Sequence, residues 1–283
     1  MKPGLEDTLV LMRDLRARCD WDAAQTHESL RPYVIEEAFE VDDAIRSGDD
    51  GALREELGDL LLQVLFHSVV AEERGAFDAG DVADTLIKKM KARHPHLYEP
   101  GGVKLPWEQG KAKRRVSIAD GLPVTLPSLH RAFRLQERAA AVGFDWPDTA
   151  GPAQKVEEEL REVLVELTGG AGHDSLAGST PPRQTPAAQA RDARRSDPAP
   201  ALAIEDELGD LLFAAVNLCR KAGVHPALAL DRANAKFARR FAAVERMAAS
   251  RNIPVGTASL AELDALWDAV KAEEQRASVG GPV

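Results

Sequence analysis

Acidic residues at helical spacing are the feature of this sequence with the clearest chemical meaning. A Glu-Glu-x-x-Glu run occurs at residues 36–40 and again at 158–162, and the hexapeptide Glu-Leu-Gly-Asp-Leu-Leu occurs at 56–61 and at 207–212. Residues three or four apart share one face of a helix, so four carboxylates converge if the two helices of each half pack as a hairpin. They are Glu37, Glu40, Glu56 and Asp59 in the first half, and Glu159, Glu162, Glu207 and Asp210 in the second.

Carboxylates held this close repel one another unless a cation lies between them or their pKa values rise. Oxygen ligands without His or Cys favour Mg²⁺, with Mn²⁺ as the other candidate. The competing interpretations are a solvated acidic face, the usual role of a single such motif, and a di-iron site, which requires a His that neither half has at that place. Gly58 and Gly209 each cost a helix about 1 kcal/mol relative to Ala, and we expect a close helix approach to explain them.

The motifs recur in one order, which indicates an internal duplication. Residues 19–22, 89–93 and 107–111 also resemble 144–146, 236–240 and 267–271. Apolar residues recur at three- and four-residue spacing, so we predict an all-α protein made of two tandem helical bundles. The predicted parts are an N-terminal domain at 1–119, a linker at 120–129, a C-terminal domain at 130–276 and a tail at 277–283. Residues 169–200 lack hydrophobic periodicity and are predicted to form a disordered insert.

The composition indicates a helix-rich globular protein of a reducing compartment, and we expect it in the cytoplasm. Its 46 acidic and 36 basic residues give a net charge of −10, which opposes binding to a nucleic-acid backbone. The two cysteines provide neither a disulfide framework nor a paired metal motif. No segment has the apolar length of a signal peptide or a membrane span. We therefore expect neither a nucleic-acid nor a membrane partner.

A positive cluster near the end of the second half could hold a polyanionic ligand. Guanidinium and ammonium groups suit a triphosphate tail, and an indole ring could stack on a base. Taken singly, such residues are more often solvated or buried in a core, but their recurrence in both halves favours a functional role. The candidates are Asn234, Lys236, Arg239, Arg240, Trp267 and Lys271.

These motifs, together with residues 19–26, 93–96, 143–146 and 234–241, resemble the MazG-type nucleoside triphosphate pyrophosphohydrolases over nearly the whole chain. The long bacterial form with two tandem MazG domains is the most similar type. The resemblance implies a homodimer that binds Mg²⁺ and hydrolyses NTPs or dNTPs to the monophosphate and pyrophosphate. It also implies that the C-terminal domain is catalytic, with Glu159, Glu162, Glu207 and Asp210 as metal ligands. The nucleotide contacts that it implies are Lys236, Arg240, Trp267 and Lys271.

The predicted reaction is attack of a water molecule on the α-phosphorus, with Glu158 or Glu159 accepting the proton. The first half has Ile87 where the second has Asn234, which predicts a metal-binding but less active N-terminal site. The alternative function is a non-catalytic, nucleotide-sensing or partner-binding helical protein. A structural bundle without any ligand is a weaker third possibility.

Overall fold

The computed structural model describes residues 2–104, 108, 115–168 and 198–279, without the side chains of 198–201 and 277–279. All regular secondary structure in those ranges is helical, which confirms the all-α prediction. The chain divides into two compact units, Met1–Pro106 and Trp107–Val283, while the domain bounds expected from the sequence remain predictions. Positions 169–197 of the expected insert and the last four residues of the tail lie outside the described residues.

The first unit contains a long helical hairpin between shorter helices. Its helices are α1 (Leu5–Arg18), α2 (Asp20–Ala24), α3 (His27–Ser47), α4 (Asp50–Glu73), α5 (Ala79–Arg93) and α6 (Pro95–Tyr98). The buried side chains of α1, α3 and α4 form one apolar core, made of Met12, Leu30, Phe66, Val69 and Val70. Burial of each large side chain contributes about 1.5–3 kcal/mol to folding.

Helices α3 and α4 carry the two acidic motifs of this unit, and a short link places them side by side. The side chain of Thr26 caps α3 by accepting a hydrogen bond from the backbone N–H three residues further on. The helix ends at Gly48, whose φ of 70° is the left-handed conformation that glycine adopts without strain. Asp49 then caps α4 by accepting a hydrogen bond from the Gly51 N–H at 2.7 Å. The turn therefore brings Glu-Glu-x-x-Glu and Glu-x-x-Asp onto neighbouring helices.

The second unit repeats the hairpin between α8 and α9 and adds a second pair of packed helices. Its helices are α7 (Ser128–Ala141), α8 (Ala150–Thr168), α9 (Pro198–Lys221), α10 (Pro226–Ser250) and α11 (Leu260–Val279). Helix α7 packs against α9 and α10, and α10 packs against α11. The α10–α11 pair buries Val244, Ala248, Leu266 and Val270. None of the helices in the described ranges is long and apolar enough to cross a membrane.

The expectation of a close helix approach at the two motif glycines is wrong within the described part of each unit. A methyl group placed on Gly58 or Gly209 would meet no atom within 4 Å. Leu208 and Leu212, beside Gly209, are 42% and 60% exposed. The glycine in the hexapeptide therefore lies on an open helix face.

Candidate metal centres and the adjoining cavity

The second unit brings three of its predicted metal ligands together. One carboxylate oxygen from each of Glu159, Glu162 and Glu207 lies within 4.8 Å of the others, so that α8 supplies two ligands and α9 the third. Glu159 is only 4% exposed, whereas Glu162 is open to solvent. Asp210 lies outside this group of three and is exposed on α9. We call these three residues the second acidic group.

The electrostatics of the second acidic group suit a bound cation. Desolvation raises the pKa of Glu162, and so do its hydrogen bond with Glu159 and the negative charges of Glu159 and Glu207. A positive ion among the three would remove that repulsion. Since every donor is a carboxylate oxygen, the residues fit a hard divalent ion such as Mg²⁺ or Mn²⁺.

Lys155, which none of the sequence motifs includes, neutralises part of the negative charge of the second acidic group. Lys155 Nζ lies 2.6 Å from Glu159 Oε1 and 2.9 Å from Glu158 Oε1. These two contacts, the one with Glu159 first, raise the Lys155 pKa. The sequence could have revealed this lysine, because it lies three and four residues before Glu158 and Glu159 and residues at that spacing are neighbours on a helix. Lys155 therefore holds Glu158 and Glu159, the two candidate general bases, beside one ammonium group.

A cavity of about 510 Å³ adjoins the second acidic group, with Glu159 belonging to both. This volume lies within the range of small-molecule binding sites. Charged groups and apolar or aromatic side chains both contribute to its lining. The lining residues are Ile118, Leu135, Gln136, Ala139, Phe144, Trp146, Pro152, Lys155, Glu159, Asp210, Phe213, Ala214, Asn217 and Arg220.

Ion pairs with α9 fix one wall of this cavity. Arg220 donates hydrogen bonds to the Asp145 carboxylate, and Lys221 Nζ donates to Asp145 Oδ2 at 3.3 Å and to the Trp146 carbonyl at 2.6 Å. The hydrogen bonds from Arg220, followed by that from Lys221, outweigh desolvation and hold the pKa of Asp145 below its usual value. The Trp146 ring lies against the backbone at Gly151, where an added Cβ would be only 2.1 Å from Trp146 Cδ1.

The first unit has an acidic group of its own. One carboxylate oxygen from each of Glu37, Glu56 and Asp59 lies within 4.8 Å of the others. Burial is the main cause of the raised pKa of both Glu37 and Glu56, and the charges of Glu40 and Asp59 add to it. Glu40 is thus an electrostatic neighbour of this first acidic group, although it lies outside the set of three.

The predicted nucleotide contacts lie on α10 and α11 of the second unit, and we call them the basic group. Its members are Asn234, Lys236, Arg239, Arg240, Trp267 and Lys271. Glu274 accepts hydrogen bonds from both arginines of the group, at 2.8 Å from Arg240 Nε and 3.3 Å from Arg239 Nη2. Trp267 packs against Phe237, with ring centroids 5.4 Å apart, and the Arg240 guanidinium lies 5.9 Å from the Trp267 ring centroid. No hydrogen bond or ion pair between described residues joins the basic group to the second acidic group.

Comparison with known proteins shows that the sequence is similar to nucleotide pyrophosphohydrolases. The model of the MazG nucleotide pyrophosphohydrolase domain matches residues 25–98, which include the first acidic group. The nucleoside triphosphate pyrophosphohydrolase/pyrophosphatase MazG of Thermotoga maritima is 37% identical over 95% of this chain and 96% of its own length. The Escherichia coli K12 nucleoside triphosphate pyrophosphohydrolase is 38% identical over 93% of this chain and 94% of its own. The Mycobacterium tuberculosis protein of the same name is 41% identical over 57% of this chain and 50% of its own.

The class is therefore that of all-α proteins whose helical hairpins present clusters of carboxylates. Within this class, the chain belongs to the MazG family of nucleotide pyrophosphohydrolases, because two relatives match it over nearly their whole length. Its two helical units are compatible with the long, two-domain form of that family.

Proposed function

We propose that the chain is a Mg²⁺-dependent nucleoside triphosphate pyrophosphohydrolase with its main active site in the second unit. It hydrolyses NTPs and dNTPs between the α and β phosphates and releases the monophosphate and pyrophosphate. The observation that carries this proposal is the junction at Glu159 of a carboxylate cluster with a cavity of about 510 Å³. The printed names of the two full-length relatives support the same activity.

The residues divide the work between holding the metal and holding the nucleoside. Glu159, Glu162 and Glu207 would hold Mg²⁺, with Asp210 beside them at the cavity. A bound divalent ion supplies polarisation of phosphate oxygens and a lowered pKa of water. The aromatic and apolar lining of the cavity, with Trp146 on one wall, accepts the nucleoside portion.

The proton from the attacking water goes to Glu158. Glu159 belongs to the metal-binding set, whereas Glu158 does not and is about half exposed. Lys155 keeps Glu158 within one helical turn of the ligand carboxylates, through its 2.9 Å contact. Glu158 is thus the carboxylate next to the site that is not a metal ligand, and its Oε2 accepts the proton while Oε1 stays paired with Lys155.

The basic group binds the phosphates as they become pyrophosphate. Lys236, Arg240 and Lys271 offset the negative charge of the leaving group, and Trp267 offers a second aromatic surface to the nucleotide. Glu274 forms ion pairs with both Arg239 and Arg240, so the phosphates must compete with its carboxylate for these guanidinium groups.

A homodimer would cover the open face of the second acidic hairpin. Leu160, Leu208 and Leu212 are 40%, 42% and 60% exposed beside the acidic residues, and Gly209 offers room for a close approach. Exposed apolar clusters of this kind commonly mark association surfaces. Leu212→Glu should shift the protein from dimer to monomer in analytical ultracentrifugation. An unchanged sedimentation coefficient would exclude this face as the interface.

The reaction itself is tested by identifying the first product from ATP. Purified protein with Mg²⁺ should release pyrophosphate and AMP, and addition of EDTA should stop the release. Detection of orthophosphate and ADP as first products would refute the assignment. Absence of turnover on all standard triphosphates would favour a nucleotide sensor instead.

A further inference from the structure

Gln136 on α7 is a buried polar residue of the cavity that the reaction described above does not use. It is 6% exposed, and its Nε2 donates a hydrogen bond to the Phe213 carbonyl at 2.8 Å. A carbonyl oxygen can only accept, so this bond fixes which end of the amide is nitrogen and which is oxygen. The other end of the Gln136 amide is therefore its oxygen, Oε1, which can accept a hydrogen bond.

Gln136 Oε1 receives no hydrogen bond from any residue in the described ranges, although the atom is buried. A buried acceptor without a partner is costly, and such groups in folded proteins usually have a partner outside the chain or a functional role. Gln136 and its partner Phe213 both line the cavity next to the second acidic group. A molecule in the cavity can supply the missing donor once the atoms that now cover Oε1 move aside.

The side-chain amide of Asn217, which also lines the cavity, is oriented by hydrogen bonds to its oxygen rather than from its nitrogen. Asn217 Oδ1 accepts hydrogen bonds from Arg220 Nε at 3.0 Å and from Arg220 Nη2 at 2.8 Å. Its Nδ2 is then the atom left to act as a donor. The cavity thus offers one fixed acceptor and one fixed donor among aromatic and apolar walls, which is the lining that a nucleobase edge requires.

We propose that Gln136 is a substrate-binding residue that accepts a hydrogen bond from the edge of the substrate's nucleobase. The donor is an exocyclic amino group or a ring N–H, which Gln136 Oε1 distinguishes from a base edge that carries acceptors only. The inference rests on the proposed function, because the base enters the cavity as part of a nucleoside triphosphate. It deepens that function by naming an atom that binds the base.

The experiment compares ATP with purine riboside triphosphate, which has the same ring system but neither the amino group nor a ring N–H. For wild type, kcat/KM should be about tenfold or more higher for ATP, since an unpaired buried acceptor has a cost of that order. In Gln136→Met the ratio should fall to within about twofold, through loss of activity on ATP. Gln63→Met is the matched control, because Gln63 is a 5% exposed glutamine of the first unit whose Oε1 likewise has no hydrogen-bond partner among the described residues. It should keep the wild-type ratio.

Equal kcat/KM values for the two nucleotides in wild type would overturn the proposal whether or not the variant folds. A wild-type ratio retained in a folded Gln136→Met, as judged by its melting temperature, would also overturn it. If wild type releases no pyrophosphate from ATP, the proposed function fails. Calorimetric binding of the same two nucleotides to wild type then decides the role of Gln136 separately: preference for ATP supports it, and equal affinity overturns it.

Discussion

Helices α4 and α9 contain the same hexapeptide and align without a gap beyond it, yet the residues that follow it have opposite surroundings. Three positions of α4, two to three turns beyond the acidic residues, belong to the apolar core of the first unit. The matching positions of α9 are polar and fix the cavity wall. The pairs are Phe66 with Asn217, Val69 with Arg220, and Val70 with Lys221.

This difference separates the residues of the proposed metal sites, which both units have, from those of the proposed substrate cavity, which lie in the second unit. The acidic motifs alone bring three carboxylates together in either unit. In the first unit the helix then gains stability by burying apolar side chains. In the second, Arg220 and Lys221 bind the segment that carries Trp146, and a cavity lies beside the acids. We infer that residues further along the same helix, not the acidic motif, decide which unit accepts a nucleotide.

The largest difference between the two units is expected when one acidic residue is removed from each in turn. Glu207→Ala should lower the rate of pyrophosphate release by at least about a hundredfold, since loss of residues that only support metal ligands already costs 10–100-fold. Glu56→Ala, the matching change in the first unit, should leave the rate within about twofold. Steady-state assays at saturating Mg²⁺ measure both. A larger loss in Glu56→Ala would transfer the main active site to the first unit.

A smaller but more selective effect is expected in the basic group. Arg240→Met keeps the aliphatic stem and removes the guanidinium, so KM for ATP should rise about tenfold because a charge-assisted hydrogen bond is lost. Arg93 occupies the matching position of the first unit, and Arg93→Met serves as the control with KM unchanged within about twofold. Initial-rate measurements over a range of ATP concentrations distinguish the two variants. Equal KM values for both would contradict a role for Arg240 in binding.

The smallest predicted effect is on stability and concerns Asp145 and its counterpart Asp20. Asp145→Asn removes the partner of Arg220 and Lys221 and should lower the free energy of unfolding at pH 7 by about 1–3 kcal/mol. Asp20→Asn should change it little, since Asp20 makes no side-chain hydrogen bond with a described residue. Urea unfolding followed by circular dichroism measures both.

The Asp145 contribution should also depend on pH. Its pKa is lowered in the folded protein, so the stabilisation is complete above the usual value of 3.8 and is lost as the pH falls through the lower folded value. The difference between wild type and Asp145→Asn should therefore shrink below pH 3.8. A difference that stays constant with pH would mean that Asp145 acts by packing alone.

Much of the fold follows from the sequence because local rules determine it. Apolar periodicity predicted the helices, and three- and four-residue spacing placed Glu159 and Glu162 on one face. The contacts of Gln136 and Asp145 join residues about 75 positions apart, so no local pattern could reveal them. The expectation for Gly209 failed for a related reason. A glycine shows that a side chain is absent, but not whether a neighbour fills the space.

At Gly151, unlike at Gly209, a neighbouring side chain fills the space that a Cβ would occupy. The indole of Trp146 lies where the methyl group of any other residue at 151 would stand. One wall of the cavity is thus positioned by the backbone of the first turn of α8, the same helix that carries Glu159. The aromatic wall therefore rests on the helix that carries the carboxylate, while Arg220 and Lys221 tie the same segment to α9. A side chain at position 151 would push the indole away from α8 and change the shape of the cavity.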